Sequence, residues 1–129
     1  MMKALHTLLI ILLASSLSFA ITGDGKGQHI DVEYEEPNTN EDLTPLVDLS
    51  STTVHWQIVG STIVSNVDVP ASSPTGGAVT QDRIDLKHLG KVEIVVEIWA
   101  TASDFTGNVS SHSAHIQVPY DRLPPGKPK

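Results

Sequence analysis

The sequence predicts an all-β protein, an antiparallel β-sandwich of six to seven strands. Three observations carry that prediction. Apolar residues recur at every second position in segment after segment, most regularly over residues 91–102. Stretches rich in glycine, proline and asparagine separate those segments. Beyond residue 20, no window sustains apolar residues at i, i+3, i+4 and i+7, so no amphipathic helix competes.

Residues 1–20 (MMKALHTLLIILLASSLSFA) are expected to be an export signal. Lys3 supplies the positive start, Leu8 to Leu13 is an unbroken apolar run, and Ser18 and Ala20 are the small residues before a cleavage point. As a membrane anchor the stretch is short: residues 5–21 contain Thr7, Ser15, Ser16 and Ser18, whereas a spanning helix needs about 20 mainly apolar residues. Cleavage leaves 109 residues and takes the formal charge from −7 to −8 by removing Lys3. The expectation is a secreted or periplasmic protein with no membrane contact after cleavage. Cysteine is absent, so disulfides, thiolate metal sites and acylation are excluded, and the domain depends on its core. The acidic balance argues against a nucleic-acid partner, whose phosphates would demand lysine and arginine.

Residues 21–27 (ITGDGKG) hold three glycines and no apolar repeat, and read by composition as a flexible leader. Ile30, Val32 and Tyr34 then alternate with acidic residues, predicting a half-buried strand that Pro37 ends. Residues 38–51 read as a long loop whose Leu46, Val47 and Leu49 plug one end of the core. Val54, Trp56 and Ile58 mark a second strand, and residues 63–69 a third, ended by Pro70. Residues 71–77 are a loop by composition. A weaker strand over 79–86 places Ile84 and Leu86 inward. Residues 91–102 form the strongest strand, with Val92, Ile94, Val96, Ile98, Ala100 and Ala102 on one face. Glu93, Val95, Glu97, Trp99 and Thr101 lie on the other. Residues 104–108 (DFTGN) are a tight turn, Ala114, Ile116 and Val118 a last strand, and residues 121–129 a proline-rich tail.

The order of these signals resembles a fibronectin type III domain of the small exported bacterial or phage kind. The resemblance rests on three runs. The first, Val32-Glu33-Tyr34-Glu35-Glu36-Pro37, ends a strand with an aromatic and a proline. The second is the acidic loop 38–49 with its Thr44-Pro45-Leu46 and Asp48-Leu49. The third, Ala102-Ser103-Asp104, leads into Gly107-Asn108 and a serine-rich start of the final strand. It covers residues 28–120 and implies an immunoglobulin-like sandwich that recognises partners through its loops. No first strand is evident before residue 28. Its absence would leave a sheet edge open to another chain, and a short first strand that pairs is the favoured reading.

Chemistry-bearing patterns are sparse. His112 and His115, three apart, would point to opposite faces of a strand, and His29, His55 and His88 fall on separate elements, so surface histidines are expected and no metal site. Residues 35–42 (EEPNTNED) gather oxygen donors, and Glu36, Asn38, Asn40 and Asp42 form a candidate calcium loop, although the spaced EF-hand pattern is missing. There is no nucleophile elbow and no phosphate-cradling loop. The expectation is therefore a protein without catalytic residues or cofactor. Trp99 falls opposite in phase to Ile94, Val96 and Ile98, which puts it beside Val95 on the outer sheet face as a candidate recognition anchor; Phe105 at the turn tip is a second. Two functions fit: a binding module for a protein or polysaccharide partner, or a structural component of a phage or cell-surface assembly.

Overall fold

The computed structural model describes residues 21–128, and the export signal expected over residues 1–20 lies outside them. Seven strands follow in order: β1 (Ile21–Lys26), β2 (His29–Glu35), β3 (Leu49–Ile58), β4 (Ser65–Pro70), β5 (Val79–Asp85), β6 (Glu93–Asp104) and β7 (Ile116–Asp121). One turn of 3-10 helix, Lys87–Leu89, is the sole helical piece among the described residues. The strands form two antiparallel sheets, a three-stranded β1-β2-β5 and a four-stranded β4-β3-β6-β7. The fold is the all-β antiparallel sandwich that the alternation predicts.

Period-two burial builds the core. Ile30, Val32 and Tyr34 of β2 face Val54 of β3 and Val96, Ile98 and Ala100 of β6, all buried in one cluster. Burying each large aliphatic side chain is worth about 1.5–3 kcal/mol. Leu46 and Leu49 close one end, whereas Val47 between them turns outward. One polar contact crosses the core: the Tyr34 hydroxyl meets the Thr52 hydroxyl at 2.5 Å, linking β2 to β3. It satisfies two hydroxyls that burial would otherwise leave costly.

The glycine-rich start is a strand rather than a flexible leader. β1 pairs with β2 from Ile21 opposite Tyr34 to Lys26 opposite His29. Its glycines are spaced for contact, not mobility. A Cβ on Gly23 would lie 2.7 Å from Val118 Cγ2, and one on Gly25 would lie 2.8 Å from the carbonyl oxygen of Pro119. The bare β1 backbone thus packs directly on β7 of the other sheet. Composition suggests freedom here because glycine serves both loops and close approaches.

The strand directions place loops 36–48, 71–78 and 105–115 at one end of the sandwich. Loops 59–64 and 86–92 lie at the other, together with the tail after Asp121. β4 starts at Ser65, two residues later than the alternation suggests, which leaves Ile63 and Val64 exposed in the loop before it.

Gly25→Ala should destabilise the fold by about 1–3 kcal/mol, because a rigid carbonyl opposes the new methyl group. Chemical denaturation checks this. Gly126→Ala, whose Cβ meets nothing, should be neutral.

Candidate functional site

The outer face of the four-stranded sheet carries a row of aromatic rings. β3 and β6 pair so that His55 stands beside Trp99. Ile98 pairs with Ile116, and continuing that register one step brings His115 to the other flank of Trp99. The rings stack accordingly. His55 lies 5.5 Å from Trp99 with planes 8° apart, and His115 lies 4.5 Å from it with planes 3° apart. His112 packs over the same indole at 5.7 Å and contacts both other histidines. Trp99 does sit on the outer face, but the three imidazoles leave it only 6% exposed. It is therefore the floor of a histidine cluster and not a free recognition anchor. Val95, four residues away on the same face, remains exposed.

The histidines are tied by polar contacts. His55 Nε2 meets the Thr101 hydroxyl at 2.9 Å. His112 Nδ1 and His115 Nε2 are 3.1 Å apart, and His115 Nδ1 lies 3.2 Å from a Glu97 carboxylate oxygen. Burial pushes the His55 ring below the usual imidazole range. His112 and His115 add to that shift against the opposing charge of Asp68, so the ring stays neutral over a wider pH span.

Strand spacing alone would separate His112 from His115. They meet because residues 108–115 do not continue the β6 ladder in regular form. Serine side chains stand in for carbonyls there: the Ala100 amide donates to Ser113 Oγ at 2.8 Å and the Ala102 amide to Ser110 Oγ at 2.9 Å. Ser113 is buried, Ala114 and His115 both face out, and the alternation resumes at Ile116. That slip, a bulge in effect, also turns Ala114 away from the core face its phase assigned it.

The loop end is held by side chains that cap backbone. Asp104 organises the turn after β6. Its carboxylate accepts from the Thr106 amide and hydroxyl and from the Asn108 amide and side-chain amide, all within 3.0 Å. The bonds from Asn108 and then Thr106 pull its pKa down to about 2. Gly107 completes the turn with φ +91. Phe105 projects from this turn 68% exposed, while its amide donates to the Asp48 carbonyl of the neighbouring loop.

The calcium loop does not assemble. Glu36 is 3% exposed and turned inward, where it accepts from the Ser72 amide and hydroxyl and from the Ala78 amide. Asn40 bonds Thr44 and the Pro45 carbonyl, and Asp42 bonds the Thr44 amide and hydroxyl. The carboxylates of this loop are turned to separate partners, Glu36 to loop 71–78, Asp42 to Thr44 and Glu41 to Ser111. Among the described residues, no group of three or more His, Cys, Asp or Glu side chains is placed to hold a metal ion. No helix among them is long and apolar enough to cross a membrane.

No protein-family model and no curated protein sequence matches the chain. A solved structure described as "Myokine structure" is similar in fold, with a TM-score of 0.52 at 10% identity, over 78% of this chain and 92% of that one. At that identity the likeness concerns the β-sandwich fold alone.

Two measurements test these loop ties. Glu36→Ala should cost about 1–3 kcal/mol in denaturant unfolding by stranding the Ser72 and Ala78 amides. Glu36→Gln should cost less, since its amide oxygen still accepts. Asp104 has a folded pKa below its ordinary value. Its contribution is therefore complete above about pH 4 and disappears as pH falls toward about 2. The difference in thermal midpoint between the wild type and Asp104→Asn should shrink over that interval and stay constant above it.

Proposed function

We propose that this chain is an exported, non-catalytic recognition module of the fibronectin type III kind, which binds a protein partner through the loop end of its sandwich. One observation carries the reading: exposed apolar side chains gather on loops that are tied to one another. Val47 and Phe105 are each 68% exposed and Val109 is 61% exposed, with Leu43 exposed nearby in sequence to Val47. The Phe105 amide bonds Asp48, and the Ser111 hydroxyl bonds the Glu41 carboxylate at 2.8 Å, so the two loops form one surface. Preformed loops with outward apolar groups lose little entropy on binding. The three-plus-four strand arrangement and the residue runs of the resemblance support the family reading. The signal-like first twenty residues support export.

A protein partner fits better than a polysaccharide. Sugar rings favour flat, open aromatic faces, and here Trp99 is covered and the exposed groups are mainly aliphatic. A second reading, self-association as an assembly component, draws on the exposed Ile63 and Val64 beside β4, an edge strand that pairs with β3 alone.

The test is a printed array of purified proteins and glycans probed with three forms of the chain. Wild-type hits should be lost with Val47→Ser/Phe105→Ser and kept with Leu123→Ser, a change at the opposite end. Hits that survive the double variant would place recognition elsewhere. Association on dilution series in sedimentation, abolished by Ile63→Asp, would favour the assembly reading instead.

A further inference from the structure

We propose that His112 and His115 form a two-point chelate for a divalent transition-metal ion, with Glu97 as the carboxylate that orients it. This goes beyond the recognition reading and stands whether or not the loop end binds a partner. His112 Nδ1 and His115 Nε2 face each other at 3.1 Å. Two imidazole nitrogens bound to one ion at 2.0–2.1 Å stand about 3.3 Å apart in a tetrahedral site and about 2.9 Å apart at a right angle. The observed separation lies between those values, so the spacing already suits a shared ion, and each ring turns its nitrogen off the line joining the two to meet it.

The surroundings resemble those of a metal-binding imidazole. The Glu97 carboxylate, 3.2 Å from His115 Nδ1, can only accept, so the hydrogen sits on Nδ1 and the Nε2 lone pair is directed at His112. Ligating histidines are generally held in this way by an outer carboxylate. The flat stack of His115 on Trp99 restrains the ring further. His112 is the adjustable member: its hydrogen moves from Nδ1 to Nε2 through solvent, and a second lone pair becomes available without net release of a proton. With no third ligand among the described side chains, the remaining positions belong to water. Both rings are exposed at the sheet surface, so the ion has a direct approach. Nitrogen donors of this kind follow the order copper above nickel, with zinc below copper.

The experiment is calorimetric titration of the untagged chain with Cu²⁺, Ni²⁺ and Zn²⁺, with tryptophan emission followed in parallel. One equivalent should bind, copper most tightly, and Cu²⁺ should quench emission because the ion lies beside the ring stacked on Trp99. His112→Ala should abolish that binding, and His112→Gln, which keeps a planar group over Trp99, should abolish it too with a circular-dichroism spectrum like the wild type. Glu97→Gln should weaken it by roughly 10–100-fold. His29→Ala and His88→Ala should have no effect. Binding that persists in His112→Ala, or the absence of any saturable one-to-one event in the wild type, overturns the proposal.

Discussion

The pairing of β3 with β6 is the constraint on which the rest of the structure depends. Nine register pairs, from Leu49 opposite Asp104 to Ile58 opposite Val96, set both faces of the larger sheet at once. On the inner face they bring Val54 against Ala100 and place Trp56 beside Ile98, the middle of the core. On the outer face the same pairs put His55 beside Trp99. A slip of one residue would send the valines to solvent and the histidines inward, so the hydrophobic effect that holds the core also holds the aromatic row. Without a disulfide, no covalent bond shares that task.

Much of this was legible in the sequence. Alternation located six of the seven strands, and the phase of β6 correctly separated Val96, Ile98 and Ala100 from Glu97, Trp99 and Thr101. β1 was the exception. Gly23 and Gly25 contribute no hydrophobic signal, because their function is to have no side chain where β7 passes. Period-two reasoning registers what a face presents and is blind to a face whose purpose is to be bare.

The candidate site was legible only in part. His55, Trp99 and His115 each fall on an outward phase, so their shared face could be read from the chain. Their shared row could not, since it needs the register of two separate pairings. Reading His112 and His115 as strand residues then assigned them opposite faces, and the serine-mediated break before β7 reversed that. The acidic loop misled for a related reason. Composition counts oxygen donors but not their commitments: Glu36 and Asp42 accept from nearby amides and hydroxyls, and Asn40 donates its amide nitrogen to Thr44 and the Pro45 carbonyl.

Those commitments explain how a small sandwich holds three loops in one place. Glu36 fastens loop 71–78 to the end of β2, Asp104 closes the β6 turn on itself, and the Phe105 amide joins that turn to loop 36–48. Each tie removes conformations that a binding event would otherwise have to remove. The segment 105–115 has a place in both surfaces: its first residue displays Phe105 at the loop end, and its last supplies the histidines over Trp99. Because Ser110 and Ser113 anchor it to β6 between those two points, an ion at the histidines would restrain the same segment whose other end carries the exposed phenyl ring. The two surfaces thus share the eleven residues 105–115, pinned to β6 at Ser110 and Ser113.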